Sequence, residues 1–250
     1  MRKLPLLLVS ALALALGVAG IAQAVDSDQN MDVAVQKNKA GTKKKPKNIG
    51  KLTVDLSVTA DPSNPGETGT FATQRTVIFF DKNLVFNGAK FPSCTAVQAY
   101  NNKGLPQAAC KKAKVGGGQA QGVALGQIQD LTVTGWNGPK GKSLLLRVQG
   151  DKPLAIDSLL VGKLSKASGK FGTKLTVDIP SDLQKPLGPE TAVFATLTRF
   201  LTTVGGTTKK KLPYVGLAGC PKNKQLQFKG DFTFTDGSTQ SPTDTVACRK

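Results

Sequence analysis

Four cysteines, Cys94, Cys110, Cys220 and Cys248, are the most reactive side chains in this chain of 250 residues. Three kinds of chemistry suit them: a metal site, a redox pair or a covalent staple. Zinc wants CxxC-like spacing or histidines beside the thiolates, and the sequence has neither, for it contains no histidine. A redox pair wants closely spaced or electropositive, exposed thiols, and Lys111 and Lys112 beside Cys110 meet the second condition alone. Disulfides are therefore expected. Four cysteines allow three connectivities, and the simplest joins sequence neighbours, Cys94 with Cys110 and Cys220 with Cys248. Closing the first loop of about 15 residues contributes roughly 3 kcal/mol in the chain-entropy account.

Other catalytic sets are missing or incomplete. The lack of histidine removes the commonest general base and metal ligand, and with it a serine triad or a cysteine–histidine dyad. Neither S-x-x-K nor G-x-S-x-G occurs. The run GWNGPKGKS at 135–143 ends like a phosphate loop, but its glycine spacing and Pro139 fit a hairpin turn at Asn137-Gly138 better. Trp136 beside that turn is a candidate for sugar stacking, although packing is the commoner role for a tryptophan at a strand end. Asp26, Asp28, Asn30 and Asp32 alternate like the front of a calcium loop, yet Met31 stands where the sharp turn needs glycine and Lys37 where a glutamate would chelate. Asp178 and Asp182 flank Pro180 and form the one carboxylate pair to consider for glycoside hydrolysis, against the plainer role of turn formers. No cofactor, metal site or catalytic residue is expected, and the chain reads as a non-enzyme.

The elements that would position these residues begin after an export signal. Arg2 and Lys3 precede an apolar run, and Ala22-Gln23-Ala24 has the small residues of a cleavage site, so residues 1–24 read as a signal peptide and the chain as secreted or envelope-associated. The alternative is a retained anchor, since residues 4–24 carry no charge. After removal of the signal no membrane span is expected. Residues 25–48 are polar and rich in lysine, and they read as a disordered arm.

From residue 49 apolar and polar residues alternate. Leu52, Val54, Leu56 and Val58 form the first such set, and further strand patterns follow at 75–80, 83–86, 122–125, 131–136, 143–149, 155–164, 174–179, 192–201 and 214–217. A last hairpin places Leu226, Phe228, Phe232 and Phe234 on one face and turns at Asp236-Gly237. The helix signal is confined to 94–102, where Ser93 is a candidate cap and Gly104 a candidate stop. An all-β domain over 49–250 is expected, an antiparallel β-sandwich or barrel-like fold with one short disulfide-stapled helix.

The frame Phe91-Pro92-x-Cys94, Ala109-Cys110, Lys114-Val115-Gly116-x-Gly118, Trp136-Asn137-Gly138, Phe171-Gly172-Thr173, Cys220-Pro221 and Phe232-Thr233-Phe234-x-Asp236-Gly237-Ser238 before Cys248 resembles a group of uncharacterised secreted β-rich proteins of high-GC Gram-positive bacteria. The resemblance implies an exported β-rich domain and carries over no catalytic residue. Trp136, where phenylalanine is expected, and the long lysine-rich arm depart from the group.

Charge bounds the partners. The formal net charge is +18, of which Arg2 and Lys3 supply two. A protein so basic is drawn to anionic surfaces. The excess is nearly all lysine, whereas arginine is the residue that forks onto phosphate and stacks on bases, so nucleic acid is not the expected partner. The expected contacts are anionic envelope polymers, met by Lys43, Lys44, Lys45, Lys111, Lys112, Lys209, Lys210 and Lys211, with Lys114, Lys140 and Lys142 alongside. A hydrolase acting on an envelope glycan and a carrier of a small ligand inside a barrel are the alternatives. The last demands a large apolar cavity.

Overall fold

The computed structural model describes residues 28–59, 72–100, 106–191, 194–208 and 211–250. The strands are β1 (Asp28–Val35), β2 (Lys47–Asn48), β3 (Lys51–Thr59), β4 (Thr73–Asp81), β5 (Leu84–Phe86), β6 (Lys114–Ala124), β7 (Gln127–Asn137), β8 (Ser143–Gly150), β9 (Ile156–Lys166), β10 (Phe171–Asp178), β11 (Thr196–Gly205), β12 (Val215–Leu217), β13 (Gln225–Phe234), β14 (Thr239–Gln240) and β15 (Thr243–Ala247). Three short helices accompany them: α1 (Ala96–Ala99), α2 (Ala108–Ala113) and α3 (Ser181–Gln184). The all-β antiparallel expectation holds, and its barrel-like form is the one adopted.

Hydrogen bonding runs in the order β1-β3-β11-β6-β7-β8-β9-β10-β4-β13, and β14 and β15 share the far side of β13. Every one of these pairings is antiparallel. With β14 and β15 filling one place, the ring has eleven places. In a ring with an odd number of places, strand direction cannot alternate all the way round, so the two ends must meet in parallel. They do so between β1 and β14/β15. At this seam the Val33 N–H donates to Asp244 Oδ2 (2.6 Å) and the Gln29 N–H donates to Gln240 Oε1 (2.5 Å). A parallel bridge between Lys39 and Arg249 follows, with the Ala40 N–H donating to Arg249 O at 2.7 Å.

The seam corrects the expectation of a disordered arm over 25–48 and of a domain starting at 49. Residues 25–27 lie outside the described residues, but Asp28–Val35 is a barrel strand paired along its length with β3. Gln29, Met31 and Val33 are buried, alternating with half-buried or exposed neighbours. That period-two signal is short, and the lysines after it swamp it in any compositional reading. The small sheet β2-β12-β5 then uses the rest of the segment to plug one end of the barrel, its base, with Ile49, Leu84, Tyr214, Val215 and Leu217 buried there.

Local differences have local causes. The strand β6 starts at Lys114, well before the expected 122, because its glycines hide the alternation yet are needed. A Cβ on Gly118 would lie 1.8 Å from Leu201 O and one on Gly116 2.0 Å from Thr203 O, so β6 approaches β11 closer than a side chain permits. Similarly, β11 runs to Gly205, past the expected 201. Thr95, rather than Ser93, caps α1, in a reciprocal pair with Gln98; Gly104 lies outside the described residues. The extra helices α2 and α3 carry too few residues to show a helical period.

At the base, Asn137 is fully buried, donating to Gly88 O (2.9 Å) and Pro92 O (3.0 Å) and accepting from the Tyr214 hydroxyl (3.3 Å). Burial pushes the Tyr214 phenol up to about 12. An unfolded tyrosine ionises near 10. The stabilisation from the buried neutral phenol is therefore complete below about pH 10 and is lost as pH rises to about 12, a change of up to about 3 kcal/mol. Thermal melts across that window should show this loss in the native chain and a flatter profile in Tyr214→Phe. At the seam, Asp244→Ala should lower stability by about 1–2 kcal/mol in urea unfolding, because it orphans the Val33 N–H.

Candidate functional site

An eleven-place ring is wider than the eight-stranded barrels that side chains just fill. On the β13 side the large residues Phe228, Phe232 and Phe234, together with Met31, occupy the interior. On the opposite side β6 turns the small residues Ala120, Gly122 and Ala124 inward, and space remains. The resulting cavity has a volume of about 140 Å³. Val54 and Leu56 of β3, Leu144, Leu146 and Val148 of β8, Leu160 of β9, and Leu175 and Val177 of β10 line it. Polar side chains are few in the wall: Thr73, Thr76, Gln129, Gln184, Thr196 and Thr202.

The cavity reaches toward the end of the barrel opposite the base, its mouth. The loop from β10 to β11 crosses there, with Leu183 and Gln184 of α3, then Pro186 and Ala195, facing the cavity beside Leu197 of β11. This loop is closed on itself: Gln184 Nε2 donates to Ile179 O (2.6 Å), and the Ala195 N–H donates to Gln184 O (2.8 Å). Gln129 holds the neighbouring β8–β9 loop, donating to Lys152 O (2.6 Å) and accepting from the Leu154 N–H (2.9 Å). Around the mouth Leu125 is 68% exposed, and Leu187 and Phe194 are 42% exposed each. Lys185 stands 4.9 Å from the Phe194 ring centre and donates to Pro189 O (3.0 Å).

The four cysteines form two disulfides, Cys94–Cys110 and Cys220–Cys248, and none is free. The first ties α1 to α2 on the outer wall, where both cysteines pack with Ala99, Ala113, Trp136 and Leu145. Trp136 is buried in that cluster, a packing role rather than a sugar platform. The second, the expected pairing of sequence neighbours, joins the ends of the β13–β15 hairpin. Next to α1, the Arg147 side chain is 2% exposed and grips Asp157 with two hydrogen bonds, Nε to Oδ1 (2.7 Å) and Nη2 to Oδ2. Tyr100 covers the guanidinium and donates its hydroxyl to Asp157 O at 2.7 Å.

The remaining candidate residues do not form a reactive centre. Asp178 is engaged by Arg75 (3.2 Å) on the outer surface, and Asp182 sits in the exposed first turn of α3. Asp28, Asn30 and Asp32 alternate along β1 rather than curl around an ion; Asp26 lies outside the described residues. Among the described residues no group of three or more histidine, cysteine or acidic side chains is placed to hold a metal. The 138–142 stretch is a tight turn against Gly88: a Cβ on Gly141 would lie 2.3 Å from Gly88 C. Lys43, Lys44, Lys45, Lys111, Lys112 and Lys211 are exposed and emerge at the base; Lys209 and Lys210 lie outside the described residues. The cavity wall was missed in the sequence as a site, although the run of small residues in β6 is its signal.

Family models, curated proteins and solved structures yield no match to this chain. No described helix is long and apolar enough to cross a membrane.

Replacing Cys94 and Cys110 by alanine should lower stability by roughly 3 kcal/mol, and replacing Cys220 and Cys248 by roughly 3.5 kcal/mol, because the second loop is longer. Urea unfolding of the two double variants checks both size and order.

Proposed function

We propose that this chain is an exported, non-catalytic β-barrel that holds an apolar small molecule, or the apolar end of a larger one, in the space beneath α3. The observation that carries the reading is the cavity wall: aliphatic side chains from successive strands surround about 140 Å³. One water needs about a tenth of such a space, and an apolar cavity of about 150 Å³ stays dry and takes a benzene-sized molecule. Burying apolar surface there supplies the affinity, at roughly 25 cal/mol for each Å² removed from water. The half-covered mouth with its exposed Leu125, Leu187 and Phe194 gives an apolar path in.

Export is supported by the N-terminal signal pattern and by two disulfides, which persist in oxidising compartments. The resemblance to secreted β-rich proteins points the same way. An acid-pair hydrolase gains no support, because Asp178 is held by Arg75 on the outer surface and neither Asp178 nor Asp182 lines the cavity.

Toluene is a suitable probe. Ligand that binds the folded state raises the melting temperature by mass action, and near-saturating toluene should raise it by roughly 5 °C or more. Ala195→Trp at the mouth and Ala120→Phe in the wall should each abolish that rise. No saturable rise in the native chain, or an equal rise in both variants, would overturn the reading.

A further inference from the structure

We infer that the base of the barrel, the end opposite the cavity mouth, is a docking surface for a linear polyanion carrying phosphodiester or carboxylate groups along its length. The inference rests on how the topology sorts charge. The direction of each strand decides at which end its connections emerge, and the base connections are almost purely basic. The β1–β3 connection carries Lys37, Lys39, Lys43, Lys44, Lys45 and Lys47, and the β4–β5 turn and its sequel add Lys82 and Lys90. Lys111, Lys112 and Lys114 lead into β6, Lys140 and Lys142 turn β7 into β8, and Lys166 and Lys170 turn β9 into β10. Lys211, Lys222, Lys224 and Arg249 complete the base. All of these are exposed.

Opposing charge is nearly absent there. Among the described residues, the one carboxylate side chain at the base is Asp81. It is buried, accepting from Asn83 (2.8 Å) and from the Gln227 N–H (3.0 Å). The mouth is mixed, with Asp28, Asp151, Asp178, Asp182, Glu190 and Asp236 against Arg75, Lys152 and Lys185. The four ion pairs among the described residues, Arg75–Asp178, Arg147–Asp157, Arg199–Asp55 and Lys229–Asp231, use no base cation. The base therefore keeps its field, whereas the cations of the wall and mouth are partly neutralised.

The character of the base selects the partner. Its cations are lysines, hydrated point charges suited to many loose, exchangeable contacts, and one arginine. The exposed large apolar side chains among the described residues are at the mouth (Leu125, Ile128, Leu187, Phe194) or on the outer wall (Val97, Tyr100, Val161). Among the described residues, no large exposed apolar side chain at the base is placed to anchor in a bilayer or stack on nucleotide bases. A flexible anionic polymer needs neither. Docked this way, the barrel presents its mouth away from the polymer.

The test uses immobilised inorganic polyphosphate, with anionic phosphatidylglycerol vesicles and single-stranded DNA as competing arms, at rising salt. Lys44→Gln with Lys45→Gln, and Lys111→Gln with Lys112→Gln, should each weaken polyphosphate binding at least about fivefold at low salt. Lys152→Gln with Lys174→Gln removes the same charge from mouth and wall and should change it less than twofold. Protein saturated with polyphosphate should take up toluene with unchanged affinity. Equal weakening in the base and control variants would reduce the effect to net charge and overturn the inference. Tighter binding to vesicles or to DNA than to polyphosphate, or loss of toluene uptake on polyphosphate, would also overturn it. Failure of the native chain to bind toluene at all bears on the cavity alone.

Discussion

The parallel seam is the constraint on which the rest of the molecule depends. Ten antiparallel pairings in succession leave two edges whose strands run the same way, and exposed edges invite pairing with other chains. The chain closes them with the Asp244 and Gln240 side chains reaching backbone N–H groups of β1, and with the short bridge at Lys39 and Arg249. Those contacts join residues more than two hundred positions apart. Closure therefore waits for nearly the whole chain, and so do the width of the ring and the space within it.

Much of this fold is legible in the sequence, because a half-buried strand must alternate. The inward sets Leu52-Val54-Leu56, Leu144-Leu146-Val148 and Leu226-Phe228 with Phe232-Phe234 are visible as soon as the period is sought, and neighbouring cysteines are indeed partners. What escaped is equally physical. Glycines at 116–118 erase the pattern where backbones come closest, and lysines after β1 conceal a strand whose three buried residues include a glutamine. The cavity was less legible still. Empty space is a property of the whole ring, set by the number of strands and by which small residues happen to face one another.

Charge sorting also follows from topology rather than composition. The excess of lysine reads in the sequence as a general attraction for anions. Strand direction turns it into a vector, with Lys43–Lys45, Lys111 and Lys140 at one pole and Asp151, Asp182 and Glu190 at the other. Arginine, the better partner for carboxylate, is used mostly for wall contacts such as Arg147 with Asp157, which seats α1 and Tyr100 against the barrel.

Both disulfides, the Asn137 and Tyr214 pair, and the buried Asp81 all sit in the basal half, whereas the loop carrying α3 is held by a few hydrogen bonds and the Lys185–Phe194 contact, with no covalent tie. Rigidity must therefore fall off along the barrel axis. Amide exchange would be slowest in the strand segments near the plug and faster around residues 180–191, so any opening would begin at the rim while the rest of the cylinder keeps its shape.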